Sequence, residues 1–486
     1  MEPITLKKLL KDIPGIQIRG SSEIEITGIT AHSTLVAPGN LFIAKKGLTQ
    51  DGARFIPDAV AAGAVALVTD MYDPFFPAVV QILTADIPLV EAMLAREYYQ
   101  RASSRLYLVG ITGTNGKTTS SYLIKHLFDK MGSFSGLIGS IEWIVGGHIF
   151  PSGFTTPDVL TNHKLFYEMV SEGCQSCVME VSSHALQQQR VRLIDFAIAI
   201  FTNLTQDHLD YHQTMEAYAR AKAQLFSSLG KDKTAVINVD SPYATIMREP
   251  CRCSVLTYGI DQSADLTAEA LQLSPRGTRC TIRFQGSSHP FSTPLIGRFN
   301  IYNLLAAIGA GLARAYPLEQ ILDILSAFSA VPGRLERIEN DKGLHIFVDY
   351  AHTEDALTNV LTALREINKK RIITLFGCGG SRDRVKRPKM GAAAEALSDE
   401  IFVTSDNPRA EAPEEIIAEI LPGLKNPADA HVIVDRREAI RAAVRHCRPD
   451  DILLIAGKGH ETYQILSHGT IAFDDRKVVR DACKEG

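Results

Sequence analysis

Gly110-Ile111-Thr112-Gly113-Thr114-Asn115-Gly116-Lys117-Thr118-Thr119 is the stretch whose reading decides the fold. The apolar run Leu106-Tyr107-Leu108-Val109 precedes it, and Leu123, Ile124, Leu127, Phe128 and Met131 follow at helical spacing. Strand, glycine loop and helix in that order aim backbone N–H groups at an anion, and the helix N-terminus adds a positive partial charge. Lys117 supplies a point charge for outer phosphates and Thr118 a hydroxyl for a magnesium ion, so ATP is the expected ligand. The spacing is a variant: the usual first glycine would stand at Ile111. A plain tight turn into a helix is the alternative, and the flanking strand and helix argue against it.

The rest of the chain is ordinary in bulk. Its 486 residues leave room for about three domains. A hydrophobic share of 45% with 22% charged residues is that of a globular protein with a large core. The formal net charge of −4 points to neither nucleic acid nor an anionic membrane. The opening Met1-Glu2-Pro3-Ile4-Thr5-Leu6-Lys7-Lys8 has no apolar segment of the secretory kind, and no apolar run approaches the ~20 residues of a membrane span. Eight scattered cysteines fit a reducing cytoplasm. Cys174 and Cys177 match a C-x-x-C pair, but no second pair at zinc spacing accompanies them.

Residues 1–103 read as a small α/β domain, with strands at Ala64–Val68 and Ala78–Leu83. Arg101-Ala102-Ser103-Ser104-Arg105 is the expected junction. Residues 104–331 form a central P-loop domain on a parallel sheet, because Cys177–Val181, Phe196–Phe201 and Ala235–Val239 are continuous apolar runs between helical patterns. Residues 251–295 alternate and read as an antiparallel patch. Residues 332–486 read as a Rossmann-like doubly wound domain with strands at His345–Val348, Arg371–Phe376, Ile401–Thr404, His431–Val434 and Ile452–Ile455. Loops following those strands should gather at one edge of the sheet, where such folds bind ligands.

Two further segments carry chemistry. Glu180 ends a buried strand, where a carboxylate is placed to hold a nucleotide-bound magnesium ion. Thr202-Asn203-Leu204-Thr205-Gln206-Asp207-His208-Leu209-Asp210-Tyr211-His212 follows another buried strand and packs two acids and two histidines into its last six residues, and one imidazole among oxygen ligands is compatible with Mg²⁺. Lys222, by itself, reads as an ordinary helical lysine.

Taken in order, Gly113–Thr119, Thr155-Thr156-Pro157, Met179-Glu180-Val181-Ser182-Ser183-His184, residues 207–212, Gly297-Arg298-Phe299-Asn300 with Asn303, Pro332-Gly333-Arg334 and Asp349-Tyr350-Ala351-His352 resemble the Mur ligase family over nearly the whole chain. Gly377-Cys378-Gly379-Gly380, Ser405-Asp406-Asn407-Pro408-Arg409 and Ala456-Gly457-Lys458-Gly459-His460-Glu461 resemble the branch that adds the third peptide residue in peptidoglycan synthesis. The resemblance implies a cytoplasmic, monomeric ligase. It would use ATP and Mg²⁺ to join meso-2,6-diaminopimelate to UDP-N-acetylmuramoyl-L-alanyl-D-glutamate through an acyl phosphate. The three domains would hold the uridine nucleotide, ATP and the amino acid respectively.

By that resemblance Lys117, Glu180, His208 and Lys222 are catalytic. Thr118, Glu180, His208 and Lys222 as its carbamate bind metal. Gly113, Thr114, Asn115, Gly116, Lys117, Thr118, Thr119, Asn303, Arg334, Asp349 and His352 hold ATP. Ser33, Thr155, Thr156, Ser182, Gln188 and Arg190 contact the UDP-muramoyl dipeptide. The first domain departs from the family pattern at His32 and Thr34 and within Gly47-Leu48-Thr49-Gln50-Asp51-Gly52, which leaves the uridine contacts open.

The amino-acid pocket is assigned to Arg387, Asp406, Asn407, Pro408, Arg409, Gly457 and Glu461. Diaminopimelate carries a distal carboxylate that lysine lacks, and a guanidinium grips a carboxylate with two parallel hydrogen bonds. Glu461 can pair with the distal ammonium. The alternatives are a lysine-adding enzyme, a folylpolyglutamate synthase sharing the fold and nucleotide loop, and a nucleotide-binding scaffold without activity. The Asp406–Arg409 loop argues against the second, and the presence of Lys117, Glu180, His208 and Lys222 argues against the third.

Overall fold

The computed structural model describes residues 3–47 and 50–485. Leu48 and Thr49, part of the divergent first-domain loop, lie outside the described residues. The chain divides into two compact units, residues 1–258 with 309–316 and residues 259–308 with 317–486.

The first unit opens with a small sheet of β1 (Gln17–Arg19), β2 (Gly28–Thr30), β3 (Asn40–Ile43), β4 (Ala66–Thr69) and β5 (Val80–Leu83). Their order is β1-β5-β4-β3-β2, parallel except for β1. Helix α1 (Ile87–Tyr98) covers it, capped by the Asp86 carboxylate on the Leu89 amide. The expected junction is not a solvated linker: Ala102 and Ser103 are buried in a short 3₁₀ turn.

The second sheet of this unit is built on β6 (Tyr107–Thr112), which feeds the glycine loop and helix α2 (Lys117–Lys130). It continues with β7 (Ser135–Ile138), β8 (Glu142–Val145), β9 (His148–Pro151), helix α3 (Val159–Ser171), β10 (Ser176–Glu180), β11 (Ile198–Phe201), helix α4 (Met215–Ser227), β12 (Thr234–Asn238) and β13 (Ser254–Gly259). The order is β9-β8-β7-β10-β6-β11-β12-β13. Strands β7, β10, β6, β11, β12 and β13 are mutually parallel, and nearly all residues of the first five are buried, as continuous apolar runs require. The antiparallel patch expected over residues 251–295 forms at Leu266–Thr293, but its first segment does not belong to it: Ser254–Gly259, only partly buried, pairs parallel with β12 as β13. Helix α2 buries Leu123, Ile124, Leu127 and Phe128 on one face, and Gly132, at φ +81°, ends it. The two sheets share a core. Val159 and Leu160 of α3 join the apolar cluster of the first sheet, and Arg192 grips both oxygens of Asp86 at 2.9 Å.

In the second unit an antiparallel meander, β14 (Leu266–Ser274), β15 (Gly277–Phe284) and β16 (Ser287–Thr293), precedes a six-stranded sheet. The latter comprises β17 (Glu336–Arg337), β18 (His345–Asp349), β19 (Ile372–Phe376), β20 (Glu400–Val403), β21 (His431–Val432) and β22 (Ile452–Ala456), ordered β17-β18-β22-β19-β20-β21 and parallel after β17. Alternate residues feed two cores. Phe347, Ile372, Phe376 and Leu454 pack on one face; Ile346, Val348, Ile373, Leu375, Leu453 and Ile455 pack on the other. Helices on both faces make it a doubly wound sheet.

Candidate active site

In the first unit, strand register assembles the site. Glu180 lies opposite Ile111 and Phe201 opposite Thr112, so the ends of β10 and β11 flank the loop that leaves β6. Gly113 has φ +154°, and a Cβ there would stand 1.9 Å from the Thr202 hydroxyl oxygen, so only glycine fits. Gly116 takes the left-handed conformation at φ +86° and opens α2. Asn203 fixes the loop by accepting from Thr114 N through its carbonyl and from Asn115 N through its side chain, both at 2.9 Å. The Thr202 hydroxyl donates to Asn115 O at 2.7 Å.

The predicted catalytic groups converge here. Lys117 Nζ donates to the carbonyls of Gly113 and Thr114 at 2.9 and 2.8 Å. The Thr118 hydroxyl donates to Glu180 Oε2 at 3.1 Å. Glu180 is fully buried, and Ser140 donates to it from its amide at 2.9 Å and its hydroxyl at 3.0 Å. Lys222 is also buried and donates to Gly113 O at 2.9 Å. Its Nζ lies 4.6 Å from the centre of the Tyr218 ring, whose hydroxyl meets the Thr114 hydroxyl at 3.2 Å. Burial, and next the Lys117 charge, push the Lys222 ammonium well below the usual lysine range, against the pull of Asp207. Burial drives the Tyr218 phenol up to about 12.

The 207–212 segment divides its residues between roles. His208 is exposed, in a left-handed conformation at φ +53°, with its ring edge-on to His184 at 4.8 Å. Partial cover of the ring lowers its pKa, and Asp207 opposes that shift. His212 is instead buried, bonded to the Ser183 hydroxyl at 2.9 Å and stacked on Tyr218. An oxygen pair from Thr118 and Glu180, with a neutral imidazole on the neighbouring loop, fits Mg²⁺. An ammonium cannot ligate a metal, so Lys222 would have to lose its proton or become a carbamate to join that set.

The predicted dipeptide contacts form a second cluster beside Glu180. The Thr156 hydroxyl donates to Glu180 O at 2.8 Å and accepts from Ser182 N at 3.0 Å. The Thr155 and Ser140 hydroxyls meet at 3.0 Å. Arg190 donates to Thr156 O at 2.9 Å and to Gln188 Oε1 at 2.7 Å, and its guanidinium lies over the Phe154 ring. Ser33 sits in the 3₁₀ turn Ser33–Leu35 beyond β2, at the carboxyl end of the first sheet.

In the second unit, four loops gather at the strand ends as expected. Asp349 is buried and accepts from Leu335 N at 2.6 Å and Ala351 N at 2.8 Å; burial raises its pKa against the Arg334 charge. Arg334 lies over the Tyr350 ring, and His352 Nδ1 meets Tyr350 O at 2.9 Å. Asn303 is buried and donates to Asn300 Oδ1 at 3.1 Å. Asn407 donates to Glu461 Oε2 at 2.9 Å, and Lys458, wholly buried, bonds Asn407 Oδ1 at 3.1 Å and Glu461 Oε2 at 2.7 Å. Asp406 keeps Oδ2 buried without a hydrogen-bond partner, 2.6 Å from where a Cβ on Gly457 would stand. Pro408 is buried between Asn407 and Arg409.

The two arginines of this pocket differ. Arg409 is half-buried at φ +55°, with Nη1 on Gly380 O at 3.0 Å and Asn407 O at 3.3 Å. Arg387 is wholly buried, and its two terminal nitrogens are engaged by Glu411 and Glu419 at 2.8–3.0 Å. Its hydrogen bonds hold Glu411 down to about 2. Glu461 likewise already carries the charge of Lys458.

Sequence reasoning missed Ser140, Asn203, Lys458 and Arg436. Arg436 is buried against Asp475 and reaches Ser405 O at 3.3 Å and Ala456 O at 3.0 Å, the residues just before Asp406 and Gly457. Asn203 and Lys458 lay inside quoted stretches without being singled out; for Ser140 and Arg436, no periodicity or spacing signalled a role.

Comparison with known proteins adds a second line of evidence. The chain matches the Mur ligase family catalytic domain over residues 25–99, the Mur ligase middle domain over 111–311 and the Mur ligase glutamate ligase domain over 333–459. A UDP-N-acetylmuramoyl-L-alanyl-D-glutamate--2,6-diaminopimelate ligase from Geobacillus kaustophilus is 42% identical over 487 residues, covering 99% of each chain. A solved structure bearing the same enzyme name superimposes with a TM-score of 0.74 at 34% identity, covering 100% of this chain and 99% of that one. A Mycobacterium tuberculosis folylpolyglutamate synthase complexed with ADP and AMPPCP shares the fold at 18% identity and a TM-score of 0.60, over 80% of this chain and 93% of its own.

Proposed function

The chain belongs to the Mur ligase family, and from that membership we infer that it is the ATP-dependent, ADP-forming ligase that joins diaminopimelate to UDP-N-acetylmuramoyl-L-alanyl-D-glutamate in peptidoglycan synthesis. Residues 1–103 take the uridine nucleotide, 104–331 take ATP and 332–486 take the amino acid. The observation that carries the reading is the convergence on one glycine loop. Lys117 and Lys222 both reach the Gly113 carbonyl, while Thr118 reaches Glu180.

Carboxylate oxygen is a poor leaving group and phosphate a good one, so the D-glutamate side chain is activated first. Its carboxylate oxygen attacks the γ-phosphorus of ATP, and the bond to ADP breaks. The diaminopimelate amine then attacks the acyl carbon, phosphate leaves, and the amine gives up a proton. The amides from Gly113 to Thr118 hold the phosphates, and Lys117 turns from the loop carbonyls to the phosphoryl group as charge spreads over it. Mg²⁺, when bound, offsets charge on the phosphate oxygens. Thr118, Glu180, His208 and Lys222, once carbamylated, would hold it. Asn303, Arg334, Asp349 and His352 are assigned to ATP. Ser33, Thr155, Thr156, Ser182, Gln188 and Arg190 are assigned to the UDP substrate.

Arg409 is the residue that selects meso-diaminopimelate. Asp406, Asn407, Pro408, Gly457 and Glu461 shape the pocket, and Arg387 braces it through Glu411 and Glu419. No described helix is long and apolar enough to cross a membrane. The reading has the enzyme act as a monomer in the bacterial cytoplasm.

Phosphate release tests it. Turnover is expected only when ATP, the UDP-muramoyl dipeptide and diaminopimelate are all present. Turnover with a folate and glutamate, and none with the muramoyl dipeptide, would replace this reading with the synthase that shares the fold.

A further inference from the structure

Away from every loop discussed so far, Glu400, His431 and His446 bring a carboxylate oxygen and two imidazole nitrogens within 4.8 Å of one another. Glu400 opens β20, and His431 opens the adjoining edge strand β21 in register with Phe402. His446 is the last residue of the helix Arg436–His446. We propose that these three side chains form a binding site for a divalent transition-metal ion of the zinc class.

Donor chemistry and orientation both favour it. Two imidazoles and one carboxylate, a set with more nitrogen than oxygen ligands, suit Zn²⁺ and its neighbours better than Mg²⁺ and leave a fourth position for water. The Phe402 ring stacks on His431 at 4.4 Å and meets His446 edge-on at 6.1 Å, which holds both imidazoles beside the acid. His431 Nε2 is 3.7 Å from Glu400 Oε2, and His446 Nε2 presses against the same oxygen. Glu400 Oε2 and His446 Nε2 are both shielded from water and have each other as polar partner, so an ion would enter where that pair now closes.

The surroundings act as a metal's outer shell does. Arg371 bonds the other Glu400 oxygen and the His446 carbonyl, the latter at 3.1 Å, so that Oε2 is the oxygen left for an ion. Asp451 offsets the Arg371 charge at 2.6 Å, which leaves the cluster one net negative charge when the imidazoles are neutral. The carboxyl end of a helix, where His446 sits, also favours a cation. An ion here would tie the edge strand, its neighbour and the helix end together.

The competing account is a protonated His446 paired with Glu400 and no metal. Chelator-stripped full-length protein, with excess Mg²⁺ and a non-hydrolysable ATP analogue present, is titrated with Zn²⁺ by calorimetry and with Co²⁺ by visible absorption. One saturable site is expected, together with a raised melting temperature. His431→Ala and His446→Ala should each weaken it by at least the ~10–100-fold that losing an outer-shell partner costs. Glu400→Gln should weaken it too, with ligase activity in Mg²⁺ retained. An unchanged titration in the His431→Ala/His446→Ala double variant would overturn the proposal. So would a wild type that binds no Zn²⁺.

Discussion

Lys222 Nζ and the carbonyl oxygen of Gly113 lie 2.9 Å apart across 109 positions of sequence, and Lys117 Nζ donates to that same oxygen at 2.9 Å. Burial first, and then repulsion from the Lys117 ammonium on the same acceptor, disfavour the charged form of Lys222. The neutral amine so favoured is the form that adds carbon dioxide. Lys222→Ala and Lys222→Arg should both be nearly inactive, and short carboxylic acids should partly rescue the alanine variant. A fully active Lys222→Arg, which cannot form a carbamate, would end the idea.

Lys117→Ala removes the cation that the proposed mechanism assigns to the phosphoryl group. Loss of one such stabilising group costs ~10²–10³ in rate. Steady-state turnover at saturating ATP measures it, and near wild-type ligation would remove Lys117 from the mechanism.

Arg409 has Nε and Nη2 without a protein partner among the described residues, whereas Arg387 is bonded to two glutamates. With lysine bound, Arg409 would stay unpaired, and sites of this kind reject the lacking analogue by ~10⁴–10⁵. Mass analysis of the muramoyl tripeptide from a mixture of both amino acids should show meso-diaminopimelate almost alone, with the preference falling sharply in Arg409→Ala. Arg387→Ala should lower stability as well. Equal lysine incorporation by the wild type would refute the assignment.

Arg436 joins Asp475 to the backbone beneath both amino-acid loops. Removing one partner of a buried pair costs about 3–5 kcal/mol. Arg436→Met should show that loss in urea unfolding, and should raise KM for diaminopimelate more than KM for ATP. An equal rise in both would leave Arg436 a role in stability alone.

His163 is buried with neither ring nitrogen hydrogen-bonded, and burial lowers its pKa from 6.5 to about 4. As pH falls below 6.5 the unfolded chain takes up this proton first, so stability is full above that value and declines toward pH 4. That interval corresponds to about 3 kcal/mol. His163→Leu should flatten the acid limb of a plot of stability against pH, and an unchanged slope would assign the loss to other groups.

Much of this was legible in the sequence because buried parallel strands are continuous apolar runs. The expected strands at His345, Arg371 and Ile452 each overlap an observed one, and the loops after them gather at one edge. The glycine loop was legible because its chemistry is local. Arg387 was not: its partners Glu411 and Glu419 lie on a different segment, and no periodicity links them. Arg436 and Asp475 each look like a solvated helical charge until the fold removes the solvent. The edge strand expected at His431–Val434 is observed only over its first two residues, His431–Val432.

The core that Val159 and Leu160 complete for the first sheet has a consequence during synthesis. A nascent chain that has just released Tyr98 still lacks both apolar residues, and it lacks Arg192 for Asp86. At ~5–20 residues per second the wait for Arg192 is roughly 5–20 s. Throughout it, the emerging first sheet presents an apolar face that the rest of its own core has yet to cover.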